Sequence, residues 1–279
     1  MNDALAAWAA PRITAFEEAL LGTFPDALPA TLREACIYPL QTGGKRVRPL
    51  LTLAACESVG GDWRVALPAA VAVELLHTYS LVHDDLPCMD DDDVRRGRPT
   101  VHVRYGENVA VLVGDALLTE SFAVLAGAGY APSLAMKLVT ELARAGGAQG
   151  MIAGQAFDIG MGGPVRELDP LVRLHRLKTG ALIRCAVRMG GLCGGATDLG
   201  ALDAYGDAVG LAFQVHDDVL DADQDADEGG PPSFVKLLGV DATRLAAIAH
   251  AERASTAIAG LANADALRAL ARFTVERSI

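Results

Sequence analysis

Aromatic side chains make up only 5% of the 279 residues. With Ala and Leu abundant and 51% of the chain apolar, that shortage favours helix over strand. Positive charge is also in short supply. The 24 Lys and Arg stand against 35 Asp and Glu, a net charge of -11, which argues against a general nucleic-acid binder. The five cysteines, at 36, 56, 88, 185 and 193, include no CxxC pair and no regular framework, and read as reduced thiols of a cytoplasmic protein. The N-terminus carries an early Asp and lacks the basic-then-apolar pattern of a signal peptide. No apolar run reaches the roughly 18–20 residues that cross a bilayer, so no stable membrane insertion is expected. Repeats, low-complexity tracts and long linkers are missing, and nothing alternates convincingly with period two. One domain, 1–279, with a substantial core is the expectation.

What the chain does contain is helix after helix, separated by Gly, Pro and Asp. Residues 66–86 read as one long helix that stops near Pro87. Three more run over 107–127, 168–190 and about 199–223. They are apolar on most sides, which places them inside a bundle rather than on a surface. The fold class is all-α.

The stretch HDDLPCMDDDDVRRGRPT, 83–100, sets six aspartates beside three arginines. Carboxylates packed this closely repel unless water, a metal or a charged ligand neutralises them. A second acidic group, HDDVLD, holds Asp217, Asp218 and Asp221 between apolar neighbours. Asp217 and Asp221 are four apart on a helix and share a face within about 6 Å. One such group could be a solvated face; two, each ending an apolar helix and each preceded by His, favour a site. Asp84 and Asp90 are six apart, about 120° around a regular helix, and meet only if Pro87 breaks the helix between them. Carboxylate oxygens without a Cys or His set suit Mg²⁺, completed by waters and substrate phosphates, rather than zinc.

Cations accompany the acids. GGKRVRP, 43–49, puts Lys45 and Arg48 before a helix that Pro49 can open at its first position, and Arg95 and Arg96 follow the first acidic group. Glycines, fixed positive charge and a helix N-terminus favour an anion such as diphosphate. The GxxxxGK[ST] spacing of a P-loop is absent. In HRLKTGALIR, Lys178 and Thr179 sit mid-helix, and the Thr-Gly step suggests a local break or a close approach.

GGKRVRPLL, HTYSLVHDDLPCMDDDDVRRGRPT, GQAFDI, HRLKTGALIR and FQVHDDVLD together resemble the short-chain trans-prenyl diphosphate synthases, most closely the bacterial farnesyl diphosphate synthases (geranyltranstransferases). The resemblance spans nearly the whole chain. It implies an all-α bundle around a deep central cavity, with the aspartate groups facing across its mouth, and a homodimer. It implies Mg²⁺, about three ions with substrate bound, with Mn²⁺ as an alternative. The substrates would be isopentenyl diphosphate and an allylic diphosphate. Carried over by residue, Asp84, Asp90 and Asp217 match the main metal ligands, with Asp85 and Asp221 close by. Lys45, Arg48, His77 and Arg96 match the isopentenyl diphosphate site, and Arg95 and Lys178 the allylic diphosphate. Thr179 and Gln214 match residues facing the allylic cation and its diphosphate. Tyr79, five residues before the first motif, with Ser80 beside it, matches the cavity floor that limits products to C15. Spacing adds that His77 lies two helical turns before Asp84 on nearly the same face.

The chain departs from that pattern after the second motif. In DADQDADEGGPPSFVKLLG the loop is short, Pro231 stands where a lysine is expected, and His216 replaces a glutamine. That leaves open a slow synthase, altered substrates with a geranyl or geranylgeranyl product, or a regulatory subunit. A class I terpene cyclase would not need GGKR with Arg95 and Arg96. An HD-type phosphohydrolase would need further histidines in a metal-binding pattern. A non-enzymatic acidic module would not explain the apolar helices.

Overall fold

A computed structural model describes residues 3–222 and 232–276. The helices are α1 (Asp3–Leu21), α2 (Ala30–Leu40), α3 (Val47–Ser58) and α4 (Leu67–Asp84), then α5 (Val101–Tyr105), α6 (Glu107–Gly127), α7 (Pro132–Gly146) and α8 (Met151–Asp158). They continue with α9 (Leu168–His175), α10 (Ala181–Cys193), α11 (Gly200–Leu220), α12 (Phe234–Leu238), α13 (Val240–Ala257) and α14 (Asp265–Glu276). Among the described residues the chain is all-α apart from two two-residue strands, β1 (Val94–Arg95) and β2 (Arg98–Pro99), paired antiparallel.

Helix α4 is the axis of the bundle, with Ala69 to Leu76 buried without interruption. It packs against α6, α3, α10 and α1, while α11 lies between α10 and α13. Small residues set the spacing. A Cβ on Gly190 of α10 would fall 2.0 Å from the Thr52 carbonyl of α3, so this crossing requires glycine.

Three expectations need correction. The helix expected over 168–190 is interrupted by a π-helical turn, Arg176–Gly180, between α9 and α10. The strand pair was not expected, because an Arg-Gly turn is a weak hairpin signal. Arg96 and Gly97 both adopt positive φ (53° and 73°), the type I′ geometry that matches strand twist. Third, two helices are long and apolar enough to cross a membrane by length and composition: Trp63–Asp84, whose apolar window is 67% buried, and Glu107–Gly127, 33% buried. The first is the core helix. The second, α6, exposes Val111 and Leu112.

Buried charge locks the loop before α3. Arg46 adopts a left-handed conformation (φ 47°) and turns its guanidinium inward. There it donates to Glu17 of α1 at 2.7 Å, Glu74 of α4 at 2.8 Å and the Leu40 carbonyl at 2.6 Å. Both Arg46 and Glu74 are buried; without Glu74 the guanidinium keeps Glu17 and the Leu40 carbonyl but loses its buried partner on α4. Glu74→Ala should therefore lose about 1.5–3 kcal/mol in a urea titration. A loss under about 1 kcal/mol would mean that water reaches Arg46 and that the anchor is not what holds this loop.

Candidate active site

The first acidic group is built by the end of α4. Past Asp84 the helix cannot continue, because Pro87 has no N–H to give. The chain curls instead, with Leu86 N–H donating to His83 O at 3.2 Å and Met89 N–H to Leu86 O at 2.8 Å. The curl closes when Asp90 N–H reaches Asp84 O at 2.9 Å, so Pro87 does return Asp90 to Asp84. Burial pushes the Asp84 carboxyl up to about 6; Lys178 opposes that rise and Asp90 adds to it. Asp85 turns elsewhere. It is buried and accepts the Arg95 Nε–H at 2.6 Å, while Arg95 also reaches Asp92 at 3.1 Å. Burial raises Asp85 too, against the pull of Arg95.

The two basic segments meet. The hairpin turn carries Arg96 onto the 43–48 loop, where it donates to the Gly43 carbonyl and covers Gly44. A Cβ on Gly44 would lie 2.8 Å from that guanidinium, and its φ of 135° also excludes other residues. Helix α3 begins at Val47, so Pro49 is its third residue rather than its first, still among the positions whose N–H has no helical partner. Arg48 points into the bundle above the Phe213 ring, at 5.9 Å, and Lys45 is exposed.

A cavity of about 430 Å³ runs beneath these groups. Its wall on α4 is His77, Tyr79, Ser80 and Asp84, facing Met151, Ile152 and Gln155 of α8, with Arg48, Lys178 and Thr179 alongside. His77 is held neutral, well below its usual value, by burial and then by Arg48, Arg96, Arg95 and Arg46. Tyr79 is buried, edge-on to the His83 ring at 5.7 Å, and the Ser80 hydroxyl turns back to His77 O at 2.9 Å.

The π turn presents Lys178 and Thr179. Such a turn widens the helix and recurs at functional sites. It is wedged between glycines: a Cβ on Gly154 would fall 2.1 Å from Lys178 N, and one on Gly210 2.9 Å from Gly180 Cα. Lys178 Nζ donates to Asp158, and Thr179 Oγ1 donates to Gln214 Oε1 at 2.8 Å. Sequence reasoning missed Asp158 and Gln155, although both lie in GQAFDI. The amide atoms of Gln155 are buried without a hydrogen-bond partner at the cavity wall. Pro231 falls outside the described residues.

Among the described residues no three His, Cys, Asp or Glu side chains converge on one point. Asp217 is half-buried, and Asp221 caps α11, its N–H on Asp217 O at 2.9 Å. The acidic groups nonetheless fit a hard cation. Their donors are carboxylate oxygens, and a half-buried Asp84 beside Asp90 carries repulsion that a cation would relieve.

The polyprenyl synthetase family model matches residues 29–243, more than half of the chain. The chain belongs to the polyprenyl synthetase family. Relatives of this polyprenyl synthetase include a farnesyl diphosphate synthase of Geobacillus stearothermophilus, 45% identical over 73% of this chain and 70% of that protein. Another is geranylgeranyl pyrophosphate synthase 12, chloroplastic, of Arabidopsis thaliana, 43% identical over 81% of this chain and 68% of that protein. The structure of an FPP/GFPP synthase from Zymomonas mobilis superposes with a TM-score of 0.90 at 36% identity, covering 99% of this chain and all of that one. The chain is thus a trans-prenyl diphosphate synthase, a prenyltransferase of isoprenoid biosynthesis, in a family that uses isopentenyl diphosphate and an allylic diphosphate.

Asp84 gives a pH signature. Its folded carboxyl sits at about 6 against a usual 3.8, so it holds its proton more tightly folded than unfolded. The stability this contributes is full below 3.8 and is lost as pH rises through about 6. Ligand-free Asp84→Asn should therefore be more stable than the parent at pH 7, by on the order of 1–3 kcal/mol. The difference should close by pH 4. Equal stability at both pH values would mean that Asp84 is well solvated.

Proposed function

We propose that this prenyl diphosphate synthase joins isopentenyl diphosphate to dimethylallyl and then geranyl diphosphate, with farnesyl diphosphate as its main product. The observation that carries the C15 reading is Tyr79, buried in the cavity wall about one and a half helical turns before Asp84 on α4. A ring there would stop a growing chain that enters between the aspartates. A geranylgeranyl product is the second reading, and it is supported as well by the relatives: the chloroplastic geranylgeranyl synthase matches 81% of this chain.

The reaction breaks the C1–O bond of the allylic diphosphate, joins C1 to C4 of isopentenyl diphosphate, and passes a C2 proton to the departing diphosphate. In this reading Lys45, Arg48, His77 and Arg96 hold isopentenyl diphosphate. The neutral His77 adds a hydrogen bond without adding charge. Lys178 and Arg95 receive the allylic diphosphate, exchanging Asp158 and Asp85 for phosphate oxygens. The Thr179 hydroxyl donates a hydrogen bond to Gln214 Oε1, which leaves its lone pairs for the developing cation. The apolar wall of Met151 and Ile152 excludes water that would capture that cation. Asp84, Asp90 and Asp217, with Asp85 and Asp221 nearby, would hold Mg²⁺ or Mn²⁺, which when bound neutralises the diphosphate charge.

A homodimer fits α6, whose exposed Val111 and Leu112 form an apolar face that a second copy would cover. A cytoplasmic location is consistent with five free thiols.

The test is incubation with Mg²⁺, labelled isopentenyl diphosphate and, separately, dimethylallyl or geranyl diphosphate, then chromatography of the dephosphorylated alcohols. C15 is expected, and C20 would select the second reading. Tyr79→Ala should lengthen the product; unchanged C15 would remove Tyr79 as the floor.

A further inference from the structure

The second acidic group holds one aspartate that is turned into the protein. Asp217 is half-buried and Asp221 exposed, but Asp218, about 100° around α11 from Asp217, is buried with a relative exposure of 6%. Its two oxygens have different partners. Oδ1 accepts from the Gln214 amide, Nε2 to Oδ1, at 3.1 Å, and Oδ2 accepts the backbone N–H of Phe234 at 2.7 Å. Phe234 is the first residue of α12, and its ring stacks on His175 at 5.5 Å with 20° between the planes. His175, the residue just before the π turn, is itself buried, with Nε2 3.8 Å from Asp218 Oδ2. Phe234, Leu171, Val215 and Ala247 form a small apolar cluster of their own, apart from the main core.

We infer that Asp218 is a positioning residue for prenyl transfer: it orients the Gln214 amide, and through it the Thr179 hydroxyl, and ties that orientation to the seating of α12. The inference rests on the prenyl-transfer role given to Thr179 above. The argument is one of donors and acceptors. A glutamine amide can face Thr179 with oxygen or with nitrogen, and the two ends have opposite polarity. Both Asp218 oxygens accept here, so the carboxyl group draws the NH₂ of Gln214 and leaves Oε1 to accept the Thr179 hydroxyl hydrogen bond at 2.8 Å. The hydroxyl hydrogen is thereby turned away from the cavity and the oxygen lone pairs toward it. If the amide were reversed, the Gln214 NH₂ would donate to Thr179 Oγ1. One lone pair would be consumed, and the hydroxyl hydrogen would be released toward a site where positive charge develops. The other oxygen of Asp218 makes α12 part of the arrangement. A charged acceptor on a helix-first N–H is a strong cap, and the His175–Phe234 stack fixes the same corner from the π-turn side.

Asp218→Asn is nearly the same size but brings an NH₂ group to a place where, among the described residues, the two oxygens face the Gln214 and Phe234 donors. One of the two contacts must be lost, so the Gln214 amide or the Phe234 N–H is released. Two readouts decide the inference. The first needs no turnover: NMR of the Gln214 side-chain amide and hydrogen exchange at the Phe234 N–H, in the parent and in Asp218→Asn. A shifted Gln214 amide signal or faster exchange at Phe234 is expected. No change in either would overturn the positioning role. The second is a double-mutant cycle with Thr179→Val. Asp218→Asn should lower kcat about 10- to 100-fold, with KM for isopentenyl diphosphate changing less than about 3-fold. In the Thr179→Val background the same substitution should cost less than about 2-fold, because the group it acts through is gone. Fully multiplicative losses would overturn the route through Thr179 and leave Asp218 a structural cap. If Asp218→Asn fails to fold, Gln214→Leu in the same cycle tests the next link of the chain. If the parent makes no prenyl product at all, the functional reading falls, while the NMR and exchange data still decide what Asp218 anchors.

Discussion

Negative charge placed at the wrong end of a helix governs the design of this molecule. Both acidic groups fall at helix C-termini, Asp84 closing α4 and Asp217 and Asp221 closing α11. There the macrodipole already carries partial negative charge, so carboxylates are disfavoured twice, by the dipole and by each other. The bundle answers with cations. Arg95 is drawn to Asp85 and Lys178 to Asp158, while Arg96 and Arg48 line the approach. Each of these needs its own support. The type I′ turn aims Arg96, the Arg46 anchor braces the loop it meets, and the π turn delivers Lys178. Much of the irregular backbone in an otherwise regular bundle thus serves to bring positive charge to the end of α4 and to Asp158 at the end of α8.

The opposing charges are not fully spent on one another. Asp84 remains pushed up to about 6 even with Lys178 and Arg95 acting on it. A ligand that brings both phosphate and cation would relieve both sets of residues together. Substrate binding would then replace protein ion pairs with protein–ligand ones, and the ligand-free protein holds its site in paired form.

How much of this could be read from sequence depended on whether the signal was local. Helix α6 lies where its apolar run predicts, and α4 ends three residues before Pro87 because proline acts on its immediate neighbours. The placement of His77, Ser80 and Asp84 on one wall followed from helical spacing alone. The π turn was only hinted at by Thr-Gly, since the wedge that sustains it comes from Gly154 and Gly210, tens of residues away in opposite directions. The Arg-Gly hairpin was illegible because arginine rarely accepts positive φ. In GGKRVRP only Lys45 and Arg48 stood out, and Arg46 carried no assignment; only the fold supplies Glu17 and Glu74, which make it a brace. Asp218 was hidden in the same way, next to a residue with a different task.

The π turn also sets how the gene can change length. From α9 to α10 the chain runs as continuous helical backbone, and each residue advances a regular helix by about 100°. Losing one residue between 176 and 180 would relax the turn to regular helix at little local cost. It would also rotate the faces of α10 against those of α9, taking Gly190 away from the Thr52 carbonyl that only glycine fits. A single-codon deletion here would thus be harmless to secondary structure and damaging to assembly. The same deletion in the exposed turn between α6 and α7 would find room to be absorbed.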